Sequence, residues 1–187
     1  MRHLSRILFV AVAVGAVFCL AGTVRAESPA TLDFGGLKYR LASTEKGKDG
    51  SLTNEYVPEG ETLENWTTLV AVRHWLKAEK VGDAATPWLK MVQPLLTQKV
   101  GVFKADSAKD AEDILLEAWL SAPDRSYIEI NLHRFVKEKG TEGVKAYQFA
   151  QKVPMKDGKG DPSAFVKQRT ARFNEVAKLK LPLHREK

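Results

Sequence analysis

Two imidazoles and a carboxylate, His74, His133 and Glu129, are the side chains in this sequence from which a hydrolytic metal centre would be built. Such a trio holds zinc and leaves a fourth position for the attacking water. His74 lies in an extended run, Thr67 to Lys77, sharing one face with Val70, Val72 and Leu76, while Leu69, Ala71, Arg73 and Trp75 share the other. Glu129 and His133 lie on the polar side of a second run, Tyr127 to Lys137, opposite Ile128, Ile130, Leu132 and Val136. No pair has the i, i+4 spacing of a helical zinc motif, so the site requires two separate strands to converge. Ordinary structural histidines are the plainer reading, and the metal-assisted hydrolase stands as the alternative.

Other chemistries have less support. No Gly-x-Ser-x-Gly elbow exists, and Ser121, Ser126 and Ser163 fall in turn or cap contexts. Gly35-Gly36 lacks a following Lys-Ser or Lys-Thr, and Gly158-Lys159-Gly160 lacks the spacing of a phosphate loop. Asp106, Asp110, Glu112 and Asp113 read as a solvated acidic loop without the alternation of a calcium site. Asn65-Trp66-Thr67 matches a glycosylation acceptor but is read as a turn whose Trp66 packs inward. No catalytic residue, metal or cofactor is therefore assigned, and the reading leans away from an enzyme.

Charge shifts the search to the C-terminal end. The 187 residues carry 29 Lys and Arg against 23 Asp and Glu, a formal +6. Residues 1–26 combine Arg2 and Arg6, an apolar run from Ile7 to about Ala21, and Val24-Arg25-Ala26, the pattern of a cleavable secretory signal. An apolar run of about 15 residues falls short of the ~20 that span a bilayer. Removing Arg2, Arg6 and Arg25 leaves 26 bases against 23 acids, and Cys19 departs with them. The remaining chain has no thiol, which excludes disulfides, cysteine nucleophiles and Cys-ligated metals. From Lys156 to Lys187 there are nine bases and four acids, so positive charge gathers at one end. Lys167, Arg169 and Arg172 mark the candidate surface there, alongside His133 and Glu129. Such a helix docks on its own domain, on an acidic partner or, weakly, on anionic membrane. Nucleic acid is not an expected partner, since interleaved aromatic platforms are missing.

The elements that position these groups read as one α+β domain over residues 27–187. Residues 27–36 form a loose lead-in, then Leu37–Glu45 and Leu52–Pro58 pair as a hairpin around Asp49-Gly50. Thr86-Pro87 marks a helix start, with Pro94 shortening that helix. A brief strand runs from Val100 to Lys104. Ile114–Ser121, Tyr127–Lys137 and Val144–Val153 form an antiparallel meander, because their connections are too short for a parallel crossover. Asp157-Gly158-Lys159-Gly160 is a hinge leading to a basic amphipathic helix over about residues 161–181. The expected architecture is an antiparallel sheet, hairpin plus meander, with both helices on one face.

Asn54-Glu55-Tyr56-Val57-Pro58-Glu59-Gly60-Glu61, Asn65-Trp66-Thr67-Thr68-Leu69-Val70, Asp113-Ile114-Leu115-Leu116 and Tyr127-Ile128-Glu129-Ile130-Asn131 resemble a family of uncharacterised exported bacterial proteins. That resemblance implies no catalytic residues. The element order is loosely similar to the small α+β domains of the PsbP/Mog1/DcrB type, an analogy of fold alone. The resulting expectation is an exported, non-enzymatic binding or accessory module, periplasmic or secreted, whose partner is a protein or envelope component.

Overall fold

Alternation carries most of the chain into one antiparallel sheet, seen in a computed structural model that describes residues 30–48, 50–104, 112–157, 159–181 and 183. The signal-like residues 1–26, His184 and most of the acidic loop lie outside the described residues. The elements are β1 (Thr31–Phe34), β2 (Leu37–Lys46), β3 (Leu52–Pro58), β4 (Thr68–Trp75), α1 (Val81–Val92), β5 (Gly101–Lys104), β6 (Glu112–Ser121), β7 (Tyr127–Lys137), β8 (Val144–Lys156), β9 (Lys159–Gly160) and α2 (Ser163–Lys178). Strand order is β1-β2-β3-β4-β8-β7-β6-β5, with β9 on β8. The hairpin and the meander are thus one sheet, joined where β4 pairs with β8 from Thr68↔Gln151 to Trp75↔Val144.

Both hairpin strands and all three meander strands lie where alternation puts them, within a few residues. Residues 31–34 instead pair with β2 as an edge strand, and Lys159–Gly160 pairs with the end of β8, so these parts of the expected lead-in and hinge are strand. The first helix begins five residues before Thr86, at Val81, and Thr86-Pro87 lies inside it. Its start is set by carboxylates from outside the apolar stripe. Asp83 accepts from the backbone N–H of Lys80 at 2.9 Å, and Glu112 on β6 accepts from that of Val81 at 3.0 Å. These satisfy donors the first turn leaves open. Pro94 behaves as expected, with α1 ending in a 3-10 turn over Gln93–Leu95.

The helices do not share a face. Val81, Ala85, Trp88 and Val92 of α1 pack with Leu116, Ala118, Phe135 and Ala146, whereas Phe165 and Val176 of α2 pack with Leu115, Ile130, Leu132 and Phe149. Leu115 and Leu116 are neighbours on one strand, and neighbours point to opposite faces. The expectation of two helices on one face is therefore corrected to one helix on each. The physical reason is visible in β6 to β8, whose central residues are buried on both faces of the sheet and need cover on both.

A turn glycine limits how β8 can be entered. Gly143 has φ +73°, and a β-carbon there would lie 2.3 Å from the Trp75 carbonyl oxygen and 2.8 Å from the Leu76 Cα. Gly143→Ala is expected to destabilise the domain by at least about 1–2 kcal/mol, from the left-handed backbone cost alone, before the clash is added. Urea unfolding measures this, and an unchanged midpoint would contradict it.

Candidate functional site

Where α1 stops short of covering its face of the sheet, the polar residues of the middle strands floor a groove of about 830 Å³. The α1 side contributes Trp88, Met91 and Leu95, and the opposite side Leu63, Trp66 and Tyr127. The floor is a continuous chain of side-chain contacts across four strands. Arg73 on β4 donates through Nη2 to Glu55 Oε1 on β3 (3.3 Å) and through Nη1 to Gln148 Oε1 on β8 (2.6 Å). Gln148 donates to Asn131 Oδ1 on β7 (2.7 Å), and Asn131 donates to Glu129 Oε1 (3.0 Å). Each amide thus has its orientation fixed by one charged neighbour passed along the row.

The two carboxylates of the floor are held in unusual surroundings. Burial pushes Glu129 above the usual carboxyl range, with the Asn131 hydrogen bond and the charges of Lys152 and Arg73 pulling it partly back. Burial likewise raises Glu55, opposed by the Arg73 charge. Lys152, directly across the ladder from Glu129, has its ammonium 4.0 Å from the Trp66 ring centroid and 4.9 Å from that of Tyr127. Burial lowers the Lys152 ammonium, and the charges of Glu129 and Glu61 raise it again. An ammonium flanked by two ring faces and a carboxylate is a cation–π arrangement.

His133 continues the polar row of β7 beneath α1. It is fully buried, its ring centroid 4.2 Å from that of Trp88 and 5.7 Å from that of Phe135. Neither ring nitrogen has a hydrogen-bond partner among the described residues. Burial holds its imidazolium form well below the ordinary range, with the Arg73 charge adding to the effect.

His74 lies on the other side. Its strand neighbour Arg73 faces the groove, so His74 points to the α2 face, and its Nε2 donates to the Glu142 carbonyl at 2.9 Å. It braces the turn before β8. The structure thus brings Glu129 and His133 onto one face and leaves His74 on the opposite one. Among the described residues no group of three His, Cys, Asp or Glu side chains is placed to hold a metal ion.

The basic helix directs two of its three candidate residues inward. Arg169 binds Glu117 on β6 through Nε (3.0 Å) and Nη2, with its guanidinium 4.7 Å from the Phe173 ring centroid. Arg172 binds Glu175 at 2.8 Å and Gln168 at 3.1 Å and lies 5.3 Å from the Phe149 ring. Gly35 makes room for it, since a β-carbon there would lie 1.6 Å from Arg172 Nη1. Lys167 alone of the three is exposed. Among the described residues no helix is long and apolar enough to cross a membrane.

Reading residues singly passed over most of the groove. Arg73, Gln148 and Lys152 are single polar residues that register, rather than any local alternation, places on one face beside Glu129 and Asn131 of β7. A polar stripe shared by three adjacent strands is the signal that would have found them.

A family model matches residues 26–181. No curated protein and no solved structure matches this chain. With no structural match, the loose likeness of element order to the PsbP/Mog1/DcrB type adds no argument about function. The match spans most of the sequence, and the chain belongs to that family, one of uncharacterised function.

Proposed function

We propose that this chain, as a member of that family, is an exported, non-enzymatic binding module whose ligand is a small organic molecule seated in the groove between α1 and the β3–β7 floor. One observation carries the reading: a concave site of about 830 Å³ with aromatic walls above a hydrogen-bonded polar floor. Small-molecule sites have this makeup, mostly apolar with a few oriented polar groups. The floor residues already bond one another, which suits them to orienting a ligand more than to activating a nucleophile. Export is supported by the signal-like residues 1–26 and by a family match that begins at residue 26. Contact of α2 with anionic membrane is the lesser reading, because Arg169 and Arg172 are engaged with the domain itself.

The groove is tested with N-phenyl-1-naphthylamine, a neutral fluorophore that brightens in apolar surroundings. Saturable binding of about one molecule per chain is expected. Thr53→Trp, which places a ring at a half-buried groove position on a strand where aromatics are well accommodated, is expected to weaken it at least tenfold with the melting temperature preserved. No saturable binding, or equal binding by the variant, would refute the groove as a ligand site. Substrate turnover lost on Glu129→Gln would replace the binding module with an enzyme.

A further inference from the structure

The lining of the groove is unbalanced in charge, with five carboxylates against two bases. Both bases are matched within the floor, Arg73 by Glu55 and Lys152 by its cross-strand partner Glu129. Of the remaining carboxylates, Asp83 is engaged with backbone N–H groups at the start of α1. Glu45 and Glu64 are left at the mouth, and the lining holds no further base to meet them.

Polarity also changes along the groove. Glu45 and Glu55 lie over β2 and β3, while Trp88, Met91 and Leu95 lie at the α1 side over β6 and β7. From β2 to β6 the strand order runs through five interstrand steps, roughly 24 Å at about 4.8 Å per step. One end is therefore acidic and the other apolar. The aromatic faces already demonstrate what they favour, because the ammonium of Lys152 rests between Trp66 and Tyr127.

We propose that the ligand is a cationic amphiphile, an amine or quaternary ammonium carrying an apolar tail, with its charge toward Glu45 and Glu64, the carboxylates that no base of the lining matches, and its tail along Trp88 and Met91. A carboxylate headgroup would meet carboxylates that no base of the lining offsets, and a neutral amphiphile would gain nothing from them. This inference rests on the groove being a ligand site, and the test separates the two.

Tryptophan fluorescence of the purified protein is followed on titration with dodecyltrimethylammonium, dodecanoate and dodecyl maltoside, each kept below its micelle concentration. The ammonium probe is expected to bind at least tenfold more tightly than dodecanoate. Raising the salt from about 50 to 500 mM should narrow that gap, because charges at the mouth are screened. The double variant Glu45→Gln/Glu64→Gln, altered at the mouth away from the packed core, is expected to reduce the preference to threefold or less. Thr53→Trp should weaken all three probes together. Equal or tighter binding of dodecanoate, or a preference unchanged in the double variant, overturns the cationic ligand while the groove stands. Failure of all three probes to bind overturns the groove itself.

Discussion

Asp113→Ala is expected to cost about 3–5 kcal/mol of folding stability, a large share of the 5–15 kcal/mol that typically holds a domain together. The Asp113 side chain is 0% exposed and that of Arg134 8%. Arg134 donates through Nε to both carboxylate oxygens, at 3.1 and 2.9 Å, and through Nη2 to Oδ2 at 2.6 Å. Its Nη1 reaches the Leu179 carbonyl at the end of α2 (3.3 Å), and its guanidinium lies 5.9 Å from the Tyr147 ring. Removing the carboxylate strands a buried cation beneath α2, and the loss comes from that stranded charge more than from the attraction removed. Asp113→Leu/Arg134→Met removes both charges and is expected to stay within about 1–2 kcal/mol of the parent. Urea unfolding of the singles and the double measures this. Singles costing less than about 1 kcal/mol, or a double costing their sum, would show that the pair is effectively solvated. The Arg169–Glu117 pair is the contrast within the same molecule, because Arg169 is 39% exposed and water already screens it.

That ion pair also shows how far the sequence could be read. Arg134 is the one residue that breaks the apolar face of its strand, and alternation flags it without naming a partner. Asp113 seemed to end an acidic loop, yet β6 begins at Glu112 and brings it diagonally opposite Arg134 on the neighbouring strand. Local pattern records which face a side chain takes; strand order and register decide what it meets there. The same limit separates what was legible of the fold from what was not. The meander and hairpin follow from period-two alternation and turn residues, both local. The start of α1 lies ahead of Thr86 because its donors are met by carboxylates rather than by a Ser or Thr cap, Lys80 N–H by Asp83 and Val81 N–H by Glu112, 31 residues away. The assignment of both helices to one face failed because an amphipathic helix specifies that it needs a face and not which one.

For the site, residue type was an unreliable guide and register a good one. His74 and His133 drew notice as imidazoles, but odd and even positions on β4 and β7 send them to opposite sides of the sheet. Glu129 earned its place through its neighbours, since Asn131, Gln148 and Arg73 form a row only once β4, β8 and β7 lie side by side. None of those three has a chemistry that singles it out in a linear scan.

His133 is expected to make the protein acid-sensitive in a way that a single substitution removes. Its imidazole is buried against Trp88 and Phe135 with neither nitrogen paired, so the neutral ring is tolerated and the charged ring is not. The folded state therefore holds this group well below the value near 6.5 that it recovers on unfolding. Between those values the unfolded chain binds the extra proton, so stability is fully present above about pH 6.5 and falls as the pH drops through it. The slope cannot exceed about 1.4 kcal/mol per pH unit, which sets an upper limit of about 2 kcal/mol between pH 7 and pH 5. Glu55 and Glu129 act with the opposite sign, because their raised folded-state values favour the folded protein as pH falls. The His133 contribution is therefore read as the difference between parent and His133→Phe, in which the carboxylate contributions largely cancel. At pH 7 the variant is expected to be at least as stable as the parent, since it removes two unpaired polar atoms and keeps a ring packed against Trp88 and Phe135. By pH 5 its lead should have grown, by up to about 2 kcal/mol in urea unfolding. Parallel stability curves for the two proteins between pH 7 and pH 5 would mean that His133 is solvated or partnered, and that the α1 packing over it opens to water.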